Sequence, residues 1–209
     1  MKYYYWVMVF FSMLFLSPKD IYSQPWNLVK ESDGIKIYTR NELNSHLKSF
    51  RGEITFKADI KKVNLLIGDA DNIEWWVKDI GYVKVLDFRK DEFVQYYLIY
   101  KVPWPLTDRD VAVDGRISYD SLTGARVVFI KPFPKAVAEN PDLVRIENFW
   151  EKWTIKPMGK GNIQVIFEGF VDPNGNVPYW LYNMVVTETP LKVLQNLRTR
   201  ALSDKPAID

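Results

Sequence analysis

Residues 172 to 198 read DPNGNVPYWLYNMVVTETPLKVLQNLR, and the order of signals in this stretch decides the architecture. Asn174-Gly175-Asn176 makes a turn, and Pro178 can occupy the first turn of a helix, where its missing N–H costs nothing. Leu181, Met184, Leu191 and Leu194 form a stripe along a helix that the pattern carries from Pro178 to about Ala201. Pro190 falls inside it and should kink it, because proline removes a backbone bond and crowds the preceding turn.

Upstream of this helix the period is mostly two. Gly34 to Arg40 alternates after the Ser-Asp-Gly turn, and Ser49 to Phe56 alternates again. Asp59 to Ile67 shifts to helical spacing, with Ile60, Val63, Leu66 and Ile67 on one face. Strand signals return at Tyr82, run from Glu92 to Val102, turn at Val-Pro-Trp-Pro 102 to 105, and resume at Arg109. In that last strand Val111, Val113, Ile117 and Tyr119 alternate with Asp110, Asp114, Arg116 and Asp120, predicting one dry and one wet face. Arg126 to Lys131, Leu143 to Ile155 and Ile163 to Val171 complete the strands, with a long loop from Pro132 to Asp142. The expected class is α+β, a long C-terminal helix laid across an extensive, curled antiparallel sheet.

Composition narrows the function. Twenty-eight basic and 26 acidic residues leave a net charge of +2, too little to hold a nucleic-acid backbone. Aromatic residues make up 15%, wide and rigid apolar surface that can wall a cavity as well as fill a core. With no cysteine, disulfides, thiolate catalysis and thiolate-bound metals are excluded. Lys2, the apolar run Trp6 to Leu16 and the small Ser23 after a polar stretch have the form of a secretory signal, too short to span a bilayer comfortably. Residues 1–23 are therefore expected to be removed near Ser23, with an uncleaved membrane anchor as the alternative, leaving one domain, 24–209, exported to a periplasm or to the medium.

The end pattern of Asp-Pro, glycine turn, Pro, Trp-Leu, Asn and a proline-bearing helix finishing in Leu-Arg resembles that of the START domains, the StAR-related lipid-transfer family with the helix-grip fold. Asp33 to Arg40, PLTDRDV at 105 to 111 and VRIENFWEKWTIKP at 144 to 157 resemble further stretches of the same family. The resemblance covers Trp26 to Arg198. It implies a curved antiparallel sheet wrapped around the C-terminal helix, a tunnel between them for one lipid, and loops that gate it.

Individual residues carry competing readings. Alternation puts Arg109 on the dry face with Val111 and Val113, either as a polar group meeting a lipid head or as half of an ion pair with Asp110. Tyr97 and Gly115 stand where the resemblance would seek the tunnel's charged residues. Glu168, Arg145 and Glu147 either face the cavity or lie on a solvated face. Leu181, Met184, Thr187, Leu191 and Leu194 form either core packing or, as the resemblance implies, the cavity roof. Trp104 and Phe133, in proline-flanked loops, either dip into a membrane surface or fold back onto the sheet. His46 has no triad-like neighbours and reads as a surface residue. Asp69, Asp71 and Glu74 lack the spacing of a calcium loop and read as ending a helix.

The function expected is non-enzymatic binding or transfer of a lipid or other hydrophobic small molecule by a monomer. It needs no cofactor, metal or nucleic acid, and it involves passing contact with a membrane surface. The candidate ligand-binding residues are Tyr97, Arg109, Val111, Val113, Glu168, Leu181, Met184, Thr187, Leu191 and Leu194. The alternatives are a helix-grip enzyme, cyclase- or hydrolase-like, using a cavity acid such as Glu168 or Glu147, and a ligand-sensing interaction module.

Overall fold

A computed structural model describes residues 24–42, 45–68 and 80–203. The signal-like segment and Asp69, Asp71 and Glu74 lie outside the described residues. Among the described residues ten strands form one sheet: β1 (Asn27–Ser32), β2 (Ile35–Asn41), β3 (Lys48–Lys57), β4 (Ile80–Arg89), β5 (Phe93–Tyr100), β6 (Arg109–Tyr119), β7 (Arg126–Pro132), β8 (Val144–Arg145), β9 (Phe149–Gly159) and β10 (Asn162–Val171). Helix α1 spans Ile60–Gly68 and helix α2 spans Tyr179–Leu202. The order is β1-β2-β3-β10-β9-β7-β6-β5-β4, with β8 attached to β6. Every pairing is antiparallel except that of β8, which runs parallel to β6 through Arg109↔Val144 and Asp110↔Arg145.

Helix α2 follows the sequence boundaries to within a residue. It packs on β1, β2, β3 and α1, and a glycine permits the close approach. A Cβ on Gly52 would stand 2.7 Å from Leu194 Cδ1, 3.3 Å from Ile37 Cδ1 and 3.6 Å from Pro190 Cβ. Only a residue without a side chain lets the helix sit this low. Around this contact Ile35, Ile37, Val63, Leu66, Trp153, Ile155, Val165, Leu194 and Leu197 are almost fully buried.

Two expectations are revised. The run expected as one strand from Leu143 to Ile155 divides into β8 and β9 at Ile146–Asn148, where Asn148 offers its carbonyl to Asp172 N–H instead of to a neighbouring strand. The supposed wet face of β6 is dry over its first half, since Asp110 and Asp114 are buried. A buried carboxylate needs partners, and Asp110 has three bonds. Arg145 Nε and one guanidinium NH2 group meet its two oxygens at 2.8 Å each, and the Tyr97 hydroxyl donates to it at 2.9 Å. Arg145 in turn donates to the carbonyls of Pro134, Val137 and Ala138. The 132–142 loop thus folds over the outer face of β6, which is why charges predicted to be solvated are covered.

Candidate functional cavity

The cavity arises where α2 leaves the sheet. Its N-terminal half, with inner faces of β3, β5, β6, β9 and β10, surrounds a largely apolar space of about 290 Å³. Strands β3 and β5 are separated by four others in the sheet, so a single space bounded by both requires the sheet to curl. Trp153 stacks on Phe167 with ring centroids 4.0 Å apart, and Phe50 meets Phe167 edge-on at 4.9 Å. These rings form a rigid wall. The volume lies at the lower edge of the roughly 300–1,000 Å³ usual for small-molecule sites.

Five of the ten candidate residues line this space: Arg109, Val111, Val113, Leu181 and Met184. Arg109 is not paired with Asp110, as one reading had it. Asp110 belongs to Arg145 on the outer face, while the Arg109 guanidinium donates to the carbonyls of Thr107 and Pro173. It thereby ties the start of β6 to the loop that precedes α2. Burial weakens its hold on the proton, against a smaller opposing pull from Asp108.

The other five stand elsewhere. Tyr97 points to the outer face, where it serves Asp110; burial first, and then that bond, push its hydroxyl up to about 12. Glu168 is also on the outer face, 3.5 Å from Arg51 and 3.8 Å from Lys152. Thr187 returns its hydroxyl to the Asn183 carbonyl within the helix. Leu191 and Leu194 are buried in the core, the latter against Gly52. The geometric cause lies in the helix: each step of three residues falls about 60° short of a full turn. A row stepped mostly by three therefore drifts off the cavity. The row that follows it is Leu181, Val185, Thr189 and Val193, stepped by four.

Of the remaining candidates, His46 and Glu147 are exposed, and Arg145 is held on the outer face. Trp104 is 91% exposed and Phe133 39%. Tyr179 and Trp180, at the start of α2, are also exposed.

Several cavity residues were not anticipated, Glu151 among them. Glu151 lies on β9 between Phe149 and Trp153, and all three line the space. Its carboxyl forms no hydrogen bond or ion pair with any described residue, and burial pushes it up to about 7. Tyr96 and Tyr100 line the same space. Burial raises both phenols well above their ordinary range, and the Glu151 charge beside them raises them further. The alternation that placed Phe149 and Trp153 on one face also placed Glu151 there.

Comparison with known proteins places this geometry. No family model matches the chain. A crystallised STAR-related lipid transfer protein from Xanthomonas axonopodis is 31% identical, with 85% of this chain and 99% of that one covered, at a TM-score of 0.77. An uncharacterized Pseudomonas aeruginosa protein is 29% identical over 181 residues, 86% of this chain and 88% of its own. Rat phosphatidylcholine transfer protein is 28% identical over 170 residues, covering 76% and 75%. Human STARD10, at 17% identity and a TM-score of 0.72, shares the fold.

Proposed function

Because the chain belongs to the START family of STAR-related lipid-transfer domains, we propose that it binds one lipid or similar apolar molecule between its sheet and α2 and carries it unchanged. The observation that supports this reading is the space under the N-terminal half of α2, whose lining is mostly apolar. Burial supplies the affinity, at about 0.8 kcal/mol for each methylene removed from water before ordering costs.

The gate in this reading is the segment Val102 to Leu106 together with the first turns of α2, because both contribute lining residues and both carry exposed aromatics. Trp104, Tyr179 and Trp180 rest on a membrane surface while the ligand passes. The protein acts as a monomer outside the cytoplasm, after removal of the segment ending near Ser23. Native mass spectrometry of gently purified protein tests the carrier reading: a co-purifying apolar molecule in one-to-one ratio is expected. A folded protein that neither retains nor loads any lipid from mixed vesicles refutes it.

A second reading has one observation in its favour. A carboxyl poised near neutrality in an apolar cavity suits general acid–base work, so an enzyme of this fold would use Glu151. Neither Glu168 nor Glu147 would serve, since both lie outside the cavity. Turnover of an extracted lipid that disappears in Glu151→Gln while binding persists would move the protein to that class.

A further inference from the structure

The cavity wall contains one carboxyl and two phenols that none of the described residues satisfies. Glu151 comes from β9, Tyr96 and Tyr100 from β5, and among the described residues none of the three side chains has a hydrogen-bond partner. Buried polar groups in folded proteins are overwhelmingly paired. An apolar carrier that merely swallowed hydrocarbon would be better served by leucine at 151, flanked as that position is by Phe149 and Trp153.

We propose that Glu151, with Tyr96 and Tyr100 beside it, receives an uncharged hydroxyl group on an otherwise apolar ligand. This rests on the carrier reading and specifies the ligand class of the same cavity. The geometry disfavours a charged head at this point. A phosphate would face the Glu151 carboxylate. An ammonium would share the cavity with Arg109 on β6, and Lys101 stands at the end of β5. The other titratable group in the lining is Tyr182 on α2, while β3 and β10 present only Phe50, Phe167 and Val171. A hydroxyl avoids both charges, since it can accept from a protonated carboxyl or a phenol and donate to an ionised carboxylate.

Proton linkage gives a readout that packing alone does not move. A neutral ligand that seals the carboxyl from remaining water favours its protonated form, so binding takes up a proton and affinity falls as pH rises through about 7. A cationic ligand would favour the ionised form and bind more tightly over the same interval.

The experiment is displacement of an environment-sensitive apolar fluorophore from the full chain by dodecanol, dodecane, dodecylamine and dodecyl phosphate. Dodecanol is expected to displace best, about tenfold better than dodecane, as one hydrogen bond would give. Glu151→Gln should retain that preference but flatten its pH dependence, because the amide still donates and accepts. Glu151→Leu should reduce dodecanol to the level of dodecane and leave dodecane unchanged. An unaltered preference for dodecanol in Glu151→Leu overturns the proposal and leaves the carrier reading standing. So does preferential binding of dodecylamine that tightens as pH rises. Should Glu151→Leu not fold, the Gln variant's pH profile decides alone: a slope equal to the wild type's counts against Glu151. If no probe enters the wild-type protein, the carrier reading falls as well.

Discussion

Replacing Glu151 by glutamine should make the protein more stable in alkaline solution and leave it unchanged in acid. In the folded chain burial holds the carboxyl at about 7, against an ordinary value of 4.5. Between those values the unfolded chain has released its proton while the folded chain keeps it, so stability falls as pH rises across that window. At about 1.4 kcal/mol per pH unit, the loss amounts to at most about 3 kcal/mol, complete above pH 7 and absent below about 4.5. Glutamine has no proton to lose, so the variant escapes this loss. Urea unfolding of both proteins at intervals from about pH 4 to pH 8 gives the difference directly, since every other group titrates alike in the two. The expected gap opens with pH, favouring the variant, and levels off above neutrality. A gap that stays below about 0.5 kcal/mol throughout would refute the claim that burial raises the Glu151 carboxyl.

Four further outcomes follow from the packing. Arg145→Met should cost about 3–5 kcal/mol in chemical denaturation, because it strands the Asp110 carboxylate beneath the 132–142 loop. The stability Asp110 contributes is complete above its ordinary value of 3.8 and drains as pH falls below it, since the Arg145 and Tyr97 bonds outweigh burial and hold the folded carboxyl lower; Asp110→Asn should lack this acid-side loss in a pH series of unfolding midpoints. Gly52→Val should cost about 1–3 kcal/mol by lifting α2 off β3, read as a lower thermal midpoint. Val113→Trp should abolish fluorophore uptake while circular dichroism stays that of the wild type, because the added ring occupies the cavity.

The elements were largely legible in the sequence because period and punctuation act locally. Alternation located the central strands, and Pro178 and the Asn-Gly-Asn turn located α2. Strand β1 was missed, having nearly all its residues on the surface at the sheet's edge. The cavity was legible only in part, since burial depends on what other segments cover. Nothing in residues 132 to 142 says that they lie over β6, so Asp110 read as solvated and Arg109 was given to it as a partner. Tyr97 could not be separated from Tyr96, because β5 is buried on both faces through its centre. Glu151 was within reach: a glutamate between Phe149 and Trp153 at spacing two shares their face, and a face with two large rings is a dry one.

The placement of β10 has consequences for how the protein comes into being. That strand lies between β3 and β9, pairing Lys57 with Asn162 and Phe50 with Gly169, so its neighbour β3 waits for a segment more than a hundred residues later in the chain. Closing so long a loop before any contact rewards it is slow. Until β10 arrives, β1–β3 and β4–β9 are two half-sheets with raw edges, and the space that would hold a ligand has no wall between them. The space is therefore incomplete while the chain is still growing. A molecule already bound can also hold the two halves together, and in that sense the cargo acts as a late part of the fold.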